Sequence, residues 1–241
     1  MPEYSLSGRY LVLIPARGGS KRLPRKNLME IAGQSLIERA VKCGETLGTA
    51  ATICLSTDDD ALAAEGRKHG PYVPFMRPAE LATDTAKSFD VVRHAIEWFA
   101  DRGEKFDGLI FLQPTSPLRT PEHVREAVAR FENLGADAVV SVCAAEHPPQ
   151  WTATLAATGS MEAFGANLAA QKRSQDFAQA YRLNGAIYIY RLDKLIEHQG
   201  FFYNDRTFAY EMDQPSSVDI DTRNDYLLAR FWAERAGMES S

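Results

Sequence analysis

Residues 10–16 read YLVLIPA, an uninterrupted apolar run, and the next eleven, RGGSKRLPRKN, carry five cations and no acid. A run this short and this apolar reads as an inner strand of a sheet covered on both faces. Such a strand delivers the basic loop to the end of the sheet, where ligands collect. The rest of the chain keeps the same rhythm. Thr52–Ser56, Gly108–Gln113 and Asp137–Val142 read as further strands. Between them, Ser35–Leu47, Asp59–His69, Ala86–Ala100 and Pro121–Phe131 have helical spacing, with Leu36, Ile37, Ala40 and Val41 on one face of the first. Ser56–Asp58 supplies cap candidates for the second helix and Asp84 or Thr85 for the third, while Pro121 suits the first turn of the fourth. Tyr72–Pro78, with two prolines, is expected to be irregular. Strands alternating with helices predict an α/β fold with a mostly parallel sheet flanked by helices. Ligands then sit beyond the carboxyl ends of the strands, so the loops after Ala16, Ser56 and Gln113 are expected to converge.

After Val142 the rhythm breaks. Thr152–Phe164 alternates weakly around Thr158–Gly159, as a hairpin does, and Asn167–Gln179 is polar. Order returns with Ala186–Tyr190, a strand by its β-branched and aromatic content, and the chain closes on a helix over Thr222–Ala236 with Leu227, Leu228 and Phe231 apolar. The sequence thus divides into a core over 8–141 and 184–238 and an inserted arm over 142–183.

The 241 residues suit one large domain. A net charge of -5 argues against nucleic acid as a partner, because a phosphate backbone is met with excess positive charge. No apolar run approaches the ~18–20 residues that span a bilayer. Met1–Arg9 lacks the basic and apolar segments of a secretory leader, so the expectation is a cytoplasmic protein without a membrane partner. Cys43, Cys54 and Cys143 are scattered and form no metal or disulfide pattern.

The basic loop is costly unless an anion neutralises it. Gly18 and Gly19 let backbone amides approach phosphate oxygens, arginine offers a bidentate fork, and lysine adds a mobile charge. GGSK does not complete a Walker A loop, and no GxGxxG is present. Asp219-Ile220-Asp221 is the second constellation. In extended chain its carboxylates share one face, a pair suited to magnesium, although Asp221 is also a candidate cap for the last helix. In Leu112–Arg119 the neutral donors Gln113, Thr115 and Ser116, stiffened by two prolines, suit the hydroxyls and amides of a sugar. Asp58-Asp59-Asp60 reads better as a helix start than as a rival metal site.

IPARGGSKRLPRKN at 14–27, STDD at 56–59, RPAELATDTAKS at 77–88, LQPTSPLRT at 112–120, RLNGAIYIY at 182–190 and SVDIDT at 217–222 occur in this order. In this the chain resembles the acylneuraminate cytidylyltransferases, or CMP-sialic acid synthetases, a group that includes enzymes for legionaminic and pseudaminic acid. The resemblance implies a Rossmann-like nucleotide-diphosphosugar transferase fold with a small dimerisation arm, and a homodimer that shares its active sites. It implies that CMP is moved from CTP to a nonulosonic acid with Mg2+ and that pyrophosphate is released. By matching positions Ala16, Arg17, Gly18, Ser20, Lys21 and Lys26 would hold the triphosphate. Asn27, Arg77 and Ser88 fall on the cytidine side. Gln113, Tyr181, Phe201 and Phe202 fall near the sugar, Arg173 would reach from the arm, and Asp219 and Asp221 would hold the metal. Arg17, Lys21, Lys26, Asp219 and Asp221 would carry the catalysis. The run His147-Pro148-Pro149-Gln150-Trp151 lacks a lysine that sialate enzymes can carry there, which points toward a legionaminate-like substituent packing on Trp151. The alternatives are transfer to pseudaminate or 3-deoxy-octulosonate, and a non-catalytic nucleotide-binding regulator.

Overall fold

The computed structural model describes residues 8–167, 173 and 177–237. Its centre is a six-stranded sheet built from β1 (Tyr10–Pro15), β4 (Ala51–Ser56), β5 (Gly108–Phe111), β6 (Ala138–Ala144), β7 (Tyr181–Arg191) and β8 (Thr207–Met212), in the order β4-β1-β5-β7-β6-β8. Five strands run the same way, and β7 alone is antiparallel to both neighbours. A two-stranded ribbon, β2 (Glu30–Ile31) with β3 (Gln34–Ser35), stands apart. The helices are α1 (Leu36–Glu45), α2 (Asp60–His69), α3 (Ser88–Ala100), α4 (Pro121–Asn133), α5 (Glu162–Asn167), α6 (Leu192–Glu197) and α7 (Arg223–Arg235).

The sheet separates two apolar layers, as alternation along a strand requires. Val12 and Ile14 face α1 and α4 with Val41, Val128 and Ile187. Leu11 and Leu13 face the opposite side with Val92, Phe99, Tyr190 and Phe202. β1 is thereby buried along most of its length, which is why it carries no polar residue. The segment 70–78 is irregular, yet it shields the outer edge of β4: Leu55 donates to Tyr72 O at 2.7 Å and Arg77 to Thr57 O at 2.7 Å.

Several local expectations shift. The cap of α2 is Asp59, whose carboxylate accepts from Ala61 and Leu62, one place beyond the expected Ser56–Asp58. α3 begins at Ser88 rather than Ala86, and neither Asp84 nor Thr85 caps it; Lys87 occupies the cap position without a side-chain bond. The last helix is capped by Thr222 in a reciprocal box with Asp225, which frees Asp221 from that role. Its small residues Ala229 and Ala233 are the ones buried, against Ile31, Val218 and Ile220, while Leu227, Leu228 and Phe231 are exposed. Thr158–Gly159 forms a turn but joins no strands, and α5 follows it. The weak alternation there has no partner strand to pair with. The polar stretch expected over Asn167–Gln179 lies largely outside the described residues, as do 1–7 and 238–241. β6 and β7 pair out to Ala144 and Tyr181.

A buried polar hub holds the lower half of the sheet to the segment that follows β8. Asn184 accepts from Ser141 Oγ at 2.6 Å and from Ala186 N at 3.1 Å, and donates to Ser217 Oγ at 2.9 Å. The next residue, Gly185, has φ +75°, a conformation that side chains other than glycine's resist. Here β6 and β7 slip in register between Val140 and Val142. The hub fixes Ser217 two residues ahead of Asp219 and so aims the 219–221 strip.

Candidate active site

Beyond the carboxyl ends of β1 and β5 lies a cleft of about 630 Å3. The loops after β1, β4 and β5 do converge there. Ala16 N donates to Ser56 O at 3.0 Å, and the buried Arg77 donates to the same carbonyl. Arg17, Ser20, Lys21, Lys26, Asn27, Arg77, Ser88, Gln113 and Thr115 all line the cleft, together with Asp221.

Charges pair across it in a definite way. Lys26 Nζ reaches Asp221 Oδ1 at 2.9 Å, and Arg22 reaches Asp221 Oδ2 at 3.2 Å. Arg17 reaches Asp84 Oδ1 at 2.7 Å, and Lys21 reaches Asp84 Oδ2 at 2.5 Å. The five-cation loop is thus opposed by two carboxylates brought from distant positions. The Lys26 bond holds the Asp221 carboxyl below the usual carboxylate range. Asp219 goes the other way. Crowding by protein raises it, the Thr115 hydroxyl bonded to it offsets part of that rise, and repulsion from Asp221 adds to it. Ile220 between them is buried, and its amide donates to Thr115 O at 2.8 Å. Thr115 therefore ties the carboxylate strip to the loop after β5 by backbone and side chain together.

Beside the cationic loop, two residues of the cleft lining, Arg77 and Asn27, each carry an unsatisfied polar atom. Arg77 Nε and Asn27 Oδ1 are buried and have no hydrogen-bond partner among the described residues. Arg77 spends its other nitrogens on Ser56 O and Leu81 O, and Asn27 Nδ2 donates to Arg17 O at 3.3 Å. Burial lowers the Arg77 pKa. An orphaned donor and an orphaned acceptor in one wall are costly unless a ligand pairs them.

Not every expected site residue reaches the cleft. Ala16 is buried with its amide committed to the sheet, so it sets the loop's direction. Gly18 donates its amide to Asp58 Oδ1 at 3.1 Å, and an added Cβ would sit 2.6 Å from Asp59 Oδ2; it is glycine because the loop crosses the start of α2 closely. Ser116 is fully buried behind the loop. Phe202 lies in the core, stacked on His198 at 4.1 Å and edge-on to Tyr190. Phe201 is closer to the site, 5.4 Å from Phe111, which does line the cleft. Tyr181 is half-exposed at the far end of β7 and pairs with Glu211, away from the cleft. Arg173 is exposed and is not among the residues that line the cleft.

Four contributors were missed. Asp84 was read only as a cap, and Arg22 only as one charge in the loop. Arg119 is buried, and donates to Gln113 O at 3.0 Å and Ala186 O at 2.7 Å, fixing the loop after β5. Tyr188 pairs in register with Phe111, packs on Phe201 at 5.8 Å, and feels the charge of Asp219; burial pushes its phenol up to about 12. The alternation AIYIY does put Tyr188 and Tyr190 on one face, which was the available signal.

The rival acidic groups are already engaged: Asp58 by Gly18, and Asp59 as a helix cap. Glu38, Glu65 and His69 also approach one another within 4.8 Å, but Lys42, Lys68 and Ser35 already pair with these carboxylates. Among the described residues no helix is long and apolar enough to cross a membrane.

The chain is 35% identical over 227 residues to the CMP-N,N'-diacetyllegionaminic acid synthase of Legionella pneumophila, covering 91% of this chain and 94% of that one. It is 34% identical over 220 residues to an N-acylneuraminate cytidylyltransferase of Streptococcus agalactiae, covering 90% of this chain and 51% of that longer protein. Among solved structures, a CMP:2-keto-3-deoxy-manno-octonic acid synthetase complexed with CTP superposes with a TM-score of 0.67 at 18% identity, over 95% of this chain and 99% of that one. This likeness is one of fold. Residues 11–230 match the model of the family described as cytidylyltransferase. With that match over most of its length, and a cleft in which a basic loop faces the carboxylates of Asp84 and Asp221, the chain belongs to the cytidylyltransferase family and is a nucleotidyltransferase.

Proposed function

We propose that this protein transfers CMP from CTP to a nonulosonic acid of the N-acylneuraminate or legionaminate type. The observation that carries the reading is the cleft wall: an orphaned Arg77 Nε donor and Asn27 Oδ1 acceptor stand beside the cationic loop. A nucleotide base with acceptors and an amino donor, such as cytosine, satisfies both while its phosphates reach Arg17, Lys21 and Lys26.

The 2-hydroxyl oxygen of the sugar attacks the α-phosphorus. A new P–O bond forms, the bond to the β-phosphate oxygen breaks, the hydroxyl proton leaves to solvent, and pyrophosphate departs. Arg17, Lys21 and Lys26 offset the charge that grows on the leaving group. In this reading Asp219 and Asp221 would hold a magnesium ion: they lie near enough for Asp221 to raise the Asp219 pKa, and Lys26 and Arg22, which now pair with Asp221, would give up its oxygens to the metal. Magnesium bound there supplies charge neutralisation and a lowered pKa for the attacking hydroxyl. Thr115 orients Asp219, and Gln113, Tyr188 and Phe201 form the sugar end.

The arm over 142–183 joins two copies in this reading, with Arg173 entering the partner's cleft and Trp151 meeting an acyl substituent. Trp151 is exposed and edge-on to Phe177 at 6.5 Å, which leaves an aromatic face for that purpose. The legionaminate relative favours that sugar over sialate. The protein works in the cytoplasm, where CTP is made. The test is pyrophosphate release from CTP and magnesium with a panel of N-acetylneuraminate, diacetyllegionaminate, pseudaminate and 3-deoxy-octulosonate. Strongest turnover with diacetyllegionaminate is expected; turnover confined to 3-deoxy-octulosonate overturns the reading.

A further inference from the structure

Asp84 has a curious position. It stands four residues before α3, in the segment where a cap for that helix was expected, yet α3 starts without a side-chain cap. Its carboxylate turns instead to the phosphate loop and takes both Arg17 and Lys21, one on each oxygen. Those two bonds pull its pKa below the usual range. Thr83, Ala86 and Ser88 from the same segment line the cleft. Asp84 thus occupies the cations that a polyphosphate needs, from a stretch of chain with a single backbone turn bond of its own, Ala86 N to Thr83 O at 3.3 Å.

All three side chains are well exposed to solvent. Ion pairs of this kind are weak and exchange readily. A phosphate oxygen carries comparable charge and accepts the same donors, so polyphosphate and Asp84 compete for one pair of cations.

We propose that Asp84 is an exchange counter-ion for the triphosphate loop. It gives up Arg17 and Lys21 when the triphosphate enters and takes them back as pyrophosphate leaves. It weakens the hold on the leaving group and thereby speeds its departure. A ligand that does not reach these cations, such as CMP, escapes the competition. The proposal rests on the assignment of the cleft to CTP.

The test is calorimetric titration of CTP, pyrophosphate and CMP into wild type, Asp84→Asn and Asp84→Glu, with inhibition by pyrophosphate measured in turnover. Asp84→Asn is expected to bind CTP and pyrophosphate about fivefold more tightly, with CMP within about twofold. Its inhibition by pyrophosphate strengthens, and Asp84→Glu returns toward wild type. Weaker or unchanged pyrophosphate binding by Asp84→Asn, with the wild-type melting temperature retained, overturns the proposal and makes Asp84 a holder of the loop. If Asp84→Asn does not fold, Asp84→Ser is read in its place: tighter pyrophosphate binding with CMP unchanged is expected, and unchanged or weaker pyrophosphate binding overturns the proposal. A wild type that binds pyrophosphate but not CTP overturns the CTP assignment and leaves the counter-ion intact. One that binds neither overturns both.

Discussion

The amino group of Lys26 lies 2.9 Å from a carboxylate oxygen of Asp221, 195 positions further along the chain. The lysine side chain is largely buried, so this contact fixes the phosphate loop against the carboxylate strip. Replacing Lys26 by Met keeps the stem's apolar contacts and removes the charge. Lys26→Met is expected to raise the KM for CTP by about tenfold or more, with the helical circular dichroism unchanged.

Asp221→Asn keeps the shape of the strip and removes one anionic oxygen from the proposed metal site. CTP binding is expected to survive, because the loop cations remain. Turnover should fall by about two orders of magnitude or more. Near-normal kcat in magnesium removes Asp221 from the mechanism.

Thr115 donates its hydroxyl to Asp219 and accepts the Ile220 amide on its carbonyl. Thr115→Val deletes only the first of these. The expected result is a higher magnesium requirement and a kcat lower by about tenfold, with Thr115→Ser close to wild type. Manganese binding followed by electron paramagnetic resonance in the presence of CTP separates loss of metal from loss of sugar affinity.

Tyr188 and Tyr181 make opposed predictions. Tyr188 packs on Phe201 beside Asp219, whereas Tyr181 sits with Glu211. Tyr188→Ala should raise the KM for the sugar by about tenfold while leaving that for CTP within about twofold. Tyr181→Phe should leave both within about twofold. Initial rates at varied sugar concentration check the pair.

His123 accepts the Thr120 amide on Nδ1 at 3.2 Å as half of the capping box of α4. Burial lowers its pKa from the ordinary value, so the unfolded chain binds its proton more readily. Its contribution is present above about pH 6.5 and is lost as pH falls through that value toward the folded pKa. Thermal melts from pH 7.5 to 5 should show a fall in Tm that His123→Gln, which keeps the cap acceptor, reduces.

What could be read in advance followed from locality. A run such as YLVLIPA reads as an inner strand, and glycines with five cations at its end read as an anion loop. That an anion meets the loop was legible for that reason, whereas the expectations for Arg17, Lys21, Lys26 and Asp221 one by one came from the family resemblance; all four line the cleft. Asp84 was misread because an acid just before a helix has a local explanation, the cap, and the competing partner lies 67 positions away. Ser116 and Phe202 were misread because exposure is not a property of residue type. Phe202 fills the core against Tyr190, while its neighbour Phe201 reaches the wall of the cleft.

Sequence alone determined the alternation of strand and helix, the phosphate loop and the carboxylate pair, because each rests on periodicity or charge within a dozen residues. Only the tertiary structure decided that β7 runs against its neighbours. That reversal puts Tyr188 beside Phe111 at the carboxyl end of β5 and carries Tyr181 past the site. Strand direction is set by how the chain returns to the sheet, and no local pattern of side chains encodes it. The same long-range closure brings 221 to 26 and 84 to 17.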